Sequence, residues 1–195
     1  MQHFKFDLVL TGGHVIDPQN NFKGIADVAI KDGKIVEVSN GINTTLAEQA
    51  VNVSGLHALP GIIDPHVHLS PRHSGEYGHR MLAKAGVTTT LEISGPIDGV
   101  LEIAKTSGVG LNMAVLDQIR PGVTVPDDNP SGQAVDDFIV KCLEKGGLGV
   151  KMLGGHYPLT PEATARVIDS SYRNKSYVAF HAGTKATGSD LRGGL

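Results

Sequence analysis

The residues of this chain best suited to chemistry are two histidines one residue apart, His66 and His68, which close the apolar run Gly61-Ile62-Ile63-Asp64-Pro65-His66-Val67-His68-Leu69. Successive side chains of an extended strand point to opposite faces, so residues two apart share a face, with Cα atoms roughly 6 to 7 Å apart. Both imidazoles can then converge on one ion, and neutral imidazole suits a borderline-soft divalent metal such as zinc. Leu59-Pro60-Gly61 punctuates the start of the run, Ile62 and Ile63 predict a buried strand, and Pro65 and Pro71 limit pairing at its far end. The pair is therefore expected where a buried strand opens into a loop, at the carboxyl end where α/β proteins place their chemistry.

Two further residues stand at the ends of predicted strands. Lys151 interrupts Val150-Lys151-Met152-Leu153, a strand expected to be covered on both faces, and lysine is rarely buried without a partner. The partner is either a strand-end carboxylate, with Glu92 the candidate, or carbon dioxide. In the second case the amine becomes a carbamate, an anionic oxygen ligand able to bridge two metals. His181, after Val178-Ala179-Phe180, is a ligand or a hydrogen-bonded core histidine. Arg72 follows His68 by four residues, where a cation can hold a substrate carboxylate through paired hydrogen bonds. His156, in the turn Gly154-Gly155-His156-Tyr157-Pro158, is expected to touch substrate. His73 and His79 read as loop and helix-surface residues, and His3, His14 and His57 as surface or hairpin residues. Cys142 is the only cysteine, which excludes an intrachain disulfide framework, and its apolar surroundings fit a packed helix position.

The elements that position these residues fall into two regions. Residues 1–59 predict a small β module of sandwich type. It has strands over 6–10 and 14–17 around the turn Thr11-Gly12-Gly13, a hairpin of 26–30 with 34–38 around Lys31-Asp32-Gly33, and short strands over 50–53 and 56–59. From residue 60 to 195 strands alternate with helices. Helices are predicted over 75–85, with Met81 and Leu82 on the apolar side, over 100–108, over 134–145, and over 161–172 with Thr160 as cap. Strands are predicted over 87–93, 111–116, 148–153 and 177–181, and the long proline-rich loop 120–132 is a candidate lid or rim. Five strands alternating with four helices require a parallel sheet with right-handed crossovers, either doubly wound or curled toward a (β/α) barrel.

Composition narrows the function. A chain of 195 residues with 40% hydrophobic content can bury a sizeable core. A net charge of −3 and the lack of a basic tract argue against nucleic acid and anionic membrane as partners, leaving a small-molecule substrate. No segment approaches the roughly 18 apolar residues of a membrane span, and the first residues lack a signal-peptide core, so the expected compartment is the cytoplasm. A homo-oligomer stays open.

Taken together, these residues resemble the metal-dependent amidohydrolase superfamily, in particular its dihydroorotase, hydantoinase and deacetylase branch. Leu10-Thr11-Gly12-Gly13-His14-Val15-Ile16-Asp17 and Asp32-Gly33-Lys34-Ile35 are similar to the β module that precedes the barrel there. Leu59-Pro60-Gly61-Ile62-Ile63-Asp64-Pro65-His66-Val67-His68 is similar to the family's most specific motif, and Lys151 and His181 match its fourth- and fifth-strand ligands. The resemblance implies an α/β fold, a partial TIM-like (β/α) barrel of about five β/α units after the β module. It implies that His66 and His68 bind one metal, that Lys151 is carboxylated and bridges, that His181 binds a second metal, and that Asp64 supports the first pair. One or two divalent ions, zinc by choice of ligands, would serve hydrolysis of a non-peptide C–N bond in a cyclic amide, imide or N-acyl group through a metal-activated hydroxide. Glu92 either pairs with Lys151 or approaches the metals. The family's sixth-strand histidine and eighth-strand aspartate have no counterpart before Leu195, so no general acid or base is assigned and a truncated chain of doubtful activity is expected. The alternatives are a catalytically idle metal-binding or assembly protein of the same fold, and a doubly wound small-molecule binding domain.

Overall fold

A computed structural model of the protein describes residues 4–71, 73–184, 186, 188 and 189; His3 and Arg72 lie outside the described residues. The chain divides into two units, Met1–Pro60 and Gly61–Leu195. In the first, apolar alternation builds strands β1 (Phe6–Asp17), β2 (Phe22–Lys31), β3 (Lys34–Ser39), β4 (Ala47–Asn52) and β5 (His57–Ala58). Lys31 faces Lys34 across the two-residue turn Asp32-Gly33, whose φ values of 50° and 71° are what a tight hairpin turn of this twist requires. Residues 6–17 form one strand, not two around a turn. Their two glycines produce a slip in register against β2 between Leu10 and Gly13, and Asp27 accepts the displaced Gly12 N–H at 2.8 Å. Both β4 and β5 pair with β1 in parallel. His14 and His57, expected as surface or hairpin residues, are register partners across β1 and β5 with rings 5.0 Å apart. Phe6, Val9, Ala29, Ile42 and Ala47 form this unit's main core cluster.

The second unit runs β6 (Ile62–Val67), α1 (Gly75–Lys84), β7 (Val87–Glu92), α2 (Ile97–Ser107), β8 (Asn112–Gln118), α3 (Gly132–Glu144), β9 (Gly149–Leu153), α4 (Pro161–Arg173) and β10 (Tyr177–His181). The strands are parallel and lie in the order β10-β9-β8-β7-β6. Each strand is laid beside its predecessor with no reversal of order, which is how a (β/α) barrel grows; a doubly wound sheet would show a switch point. The fold is therefore α/β, a part-barrel of parallel strands with a separate β module.

Packing against the helices fixes the strands that matter for the site. Ile119, Val125, Val135, Ile139, Val150, Met152 and Val167 form one core cluster, and Ile97, Val100, Val115 and Cys142 another. The Thr160 side chain caps α4 by accepting from Ala163 N at 3.2 Å. The loop 120–132, expected as a lid or rim, is tied to the body of the unit at several points. Val125 joins the core at 4% exposure, Asp128 O accepts from Thr160 N at 2.8 Å, and Pro130 O accepts from Arg166 Nε at 3.0 Å. Ile62 and Ile63 depart from the expected burial, at 52% and 68% exposed, because β6 is an edge strand among the described strands. Helix α1 likewise buries Gly78 and His79 and leaves Met81 exposed. A Cβ at residue 78 would strike Ser74 and Leu69 within 3 Å, so glycine is what lets this face close.

Candidate functional site

The carboxyl end of β6 is built around a missing donor. Pro65 has no N–H for the ladder, and pairing to β7 jumps from Asp64↔Thr90 to Val67↔Glu92, leaving one extra residue on β6 as a bulge. Asp64 supplies the partner the ladder lacks, accepting His66 N–H on its carboxylate at 3.1 Å. With Val67 buried between them, His66 and His68 are both exposed, and their rings lie 5.6 Å apart. Two imidazoles that share one tetrahedral zinc through nitrogens about 2.0–2.1 Å from it stand roughly 5 Å apart, centroid to centroid, so the spacing suits a shared ion. His73, expected on the loop, comes within 5.0 Å of the His68 ring.

Beneath this group lies a buried polar series. Glu92 is 0% exposed and its carboxylate accepts from Leu69 N, from Ser94 N at 2.5 Å and from Ser94 Oγ. Ser94 Oγ also lies 3.2 Å from Ser70 Oγ, which in turn meets His73 Nδ1 at 3.0 Å. A carboxylate only accepts, so Ser94 donates to Glu92, and Ser70 Oγ bridges Ser94 Oγ and His73 Nδ1. The series ties the residue after His68 to the end of β7. Ser70 and Ser94 carry no spacing signal in the sequence, since small polar residues after a strand are ordinary loop chemistry.

Glu92 is thus committed elsewhere and is not the ion-pair partner expected for Lys151. Lys151 is 5% exposed in the middle of β9, and among the described residues no carboxylate lies within ion-pair distance of it. Burial alone pushes its amine below the ordinary lysine value. The His68 imidazole is also pushed down, first by burial; Glu92 opposes this, while His73, His66 and Lys151 reinforce it, so these five groups share one field. His79 is 1% exposed, contrary to expectation, with neither ring nitrogen hydrogen-bonded among the described residues, and burial holds it below the usual histidine range.

At the other end of the sheet His181 closes β10 with its ring 6.2 Å from that of His156. The turn after β9 is held by Gly154 N–H donating to His181 O at 2.8 Å and His156 N–H donating to Leu153 O at 3.1 Å. Among the described residues no three His, Cys, Asp or Glu side chains close on one point. The imidazoles instead form two groups, His66 with His68 and His73, and His156 with His181, and the unpartnered Lys151 stands next to His181's strand with Ala179 as its register partner. The two imidazole groups offer nitrogen donors of the kind that suit a divalent metal. A cavity of about 340 Å³ lies between α4 and the strands, lined by Met152, Tyr157, Ile168 and Phe180. It is on the helix side, since Met152 and Phe180 alternate with Lys151 and His181.

No protein-family model matches the chain. It is 33% identical over 150 residues to a dihydroorotase of Citrifermentans bemidjiense, covering 73% of this chain and 31% of that enzyme. It is 38% identical over 93 residues to an allantoinase of Escherichia coli O1:K1 / APEC, covering 45% of this chain and 20% of that one. In fold it resembles the L-hydantoinase (dihydropyrimidinase) of Arthrobacter aurescens, with TM-score 0.69, 20% identity, and coverage of 93% of this chain and 42% of the other. The chain thus spans about a third or less of the curated relatives it matches. Its sequence relatives and the part-barrel of parallel strands with its preceding β module together make the chain a member of the amidohydrolase superfamily, alongside dihydroorotases, allantoinases and hydantoinases.

Proposed function

We propose that the Gly61–Leu195 unit carries the metal-binding part of an active site that hydrolyses a non-peptide C–N bond in a cyclic amide, imide or N-acyl group. The observation that carries this is the arrival of His66 and His68, Lys151, and His181 on the first, fourth and fifth strands of one barrel-type sheet, with the buried lysine in ion-pair contact with no carboxylate among the described residues. His66 and His68 would hold one divalent ion, with zinc the natural choice, and His181 would hold a second. Lys151 would contribute an anionic oxygen ligand as a carbamate, its deprotonated amine nitrogen bonding to the carbon of carbon dioxide with loss of one proton to solvent. Bound metal supplies Lewis-acid polarisation of the scissile carbonyl and a lowered water pKa.

The chain's own residues do the rest. Asp64 holds the bulge that presents His66, and Glu92 with Ser94 fixes the backbone on which His68 sits. Burial pushes the Lys151 amine below its ordinary value, toward the neutral form with which carbon dioxide reacts. His156 contacts substrate beside His181, and Arg72 holds a substrate carboxylate. The substrate is a small molecule; the activity of the whole protein is part of the proposal, because the matched relatives are far longer than this chain. Elemental analysis of the purified protein tests it. At least one equivalent of metal is expected, falling below half in Lys151→Ala and His66→Ala, together with a carbamate resonance in ¹³CO₂-equilibrated wild type that Lys151→Ala lacks. Less than a tenth of an equivalent of zinc, manganese, iron or nickel in folded wild type overturns it.

A further inference from the structure

His14 and His57 belong to the Met1–Pro60 unit and have no role in the hydrolytic site proposed above. Their meeting is built by the turn between β4 and β5. Asn52 Oδ1 accepts Ser54 N–H at 2.9 Å, Leu56 N–H donates to Val53 O at 3.0 Å, and Gly55 supplies the φ of 82° that the reversal needs. The turn is clamped to β1 at both ends, by Val53 N–H donating to Thr11 O and His14 N–H donating to Leu56 O, each at 2.9 Å. It can approach so closely because β1 carries glycine at 12 and 13: a Cβ at residue 12 would strike Ser54 Oγ, and one at residue 13 would press on Val53 Cγ2 at 3.0 Å. His57 is thereby set in register with His14 on the neighbouring strand, the rings 5.0 Å apart and tilted at 40°. His14 is half-buried and His57 exposed, and among the described residues neither imidazole has a hydrogen-bond or ion-pair partner. Two imidazoles whose nitrogens share one ion stand roughly 4.5 Å apart between centroids when cis in a square plane and about 5.2 Å apart at the tetrahedral angle, and this pair falls within that range. Both ride on paired strands, so each ring needs only its own side-chain torsions to aim a nitrogen at the ion.

We infer that His14 and His57 form a metal site of the β module, taking a divalent transition ion on one nitrogen of each imidazole, with water in the remaining positions. Two imidazole ligands with open tetragonal positions suit copper(II), and the affinity order of the first-row ions places it ahead of nickel and zinc. The ion staples the two-residue strand β5 to β1. The inference does not rest on the hydrolase proposal. Its test is copper(II) added to ¹⁵N-labelled wild-type protein, where paramagnetic broadening should reach the backbone amides of residues 13–15 and 57–58. His14→Gln and His57→Gln should each weaken copper binding at this site about tenfold or more, because the second imidazole binds intramolecularly once the first is engaged. The double variant His66→Gln/His68→Gln should leave the broadening at 13–15 and 57–58 unchanged. Sharp amides there at a fourfold excess of copper(II), a measurement that needs no variant, overturn the inference. Broadening that persists undiminished in folded His14→Gln or His57→Gln marks a single imidazole and overturns it as well. Either failure leaves the hydrolase proposal standing, since that proposal is tested by metal loss in Lys151→Ala and His66→Ala.

Discussion

Replacing Glu92 with glutamine tests whether the buried carboxylate is the clasp between β6 and β7. The side chain keeps its shape and exchanges one acceptor oxygen for an NH₂ group. Oε1 serves Ser94 N and Ser94 Oγ, and Oε2 serves Leu69 N, so the least costly amide orientation turns its NH₂ toward Leu69. One buried backbone N–H then loses its acceptor, at about 1–3 kcal/mol. The other two bonds pass from charged to neutral acceptor, losing about 1 kcal/mol each. Removing a buried charge returns some desolvation energy, which leaves a net loss of about 3 kcal/mol. For a chain of 195 residues that corresponds to a fall in Tm of roughly 6 to 12 °C. Calorimetry on wild type, Glu92→Gln and Ser94→Ala, with the double variant, measures it, and the two losses should be less than additive because they share a bond. The Leu69 tether also holds His68, so metal affinity should fall about tenfold or more. A Tm change under 1 °C with unaltered metal content would refute the clasp.

Burial of ionisable groups gives two pH dependences of opposite sign. The His79 imidazole is held below its ordinary value of 6.5 by burial, so the unfolded chain takes up a proton that the native chain refuses. Stability should fall as pH drops below 6.5, and His79→Leu should flatten that limb in urea unfolding and raise stability at neutral pH by about 1 kcal/mol; an unchanged slope sinks the assignment. Burial raises the Asp117 carboxyl above its ordinary 3.8 even though it accepts Ile97 N–H and Gln118 N–H, so the native state keeps its proton longer. Stability should decline as pH rises from 3.8 through the native value, and Asp117→Asn should remove that decline, with equal slopes counting against it. The Cys142 thiol is pushed up by burial and bonds to Gly149 O at 3.2 Å, so native protein should resist a thiol reagent at neutral pH and react fully in urea; rapid native labelling would contradict its packing.

Regular local patterns made much of the fold legible. The strand over 177–181, the α4 cap at Thr160 and the Asp32-Gly33 hairpin depend on residues within a few positions of one another, and the structure has all three. Residues 6–17 misled because a glycine pair serves a bulge as well as a turn, and only the Asp27 carboxylate on the neighbouring strand decides between them. Met81 and His79 exchanged roles because periodicity does not say which helix face a close approach at Gly78 will bury.

By itself the sequence determined the residue types of the candidate site and the elements that carry them: His66 and His68 two apart, Lys151 in an apolar strand though at its middle and not its end, His181 at the close of another. These are local facts, carried by spacing and hydropathy. Tertiary structure decided the rest. The sequential strand order excluded a doubly wound sheet. It also directed Glu92 to Leu69 and Ser94 instead of Lys151, brought His73 to His68, and set His57 beside His14. Those choices depend on which hydrogen-bond and charge partners become available when separate strands align, and no spacing along the chain encodes them.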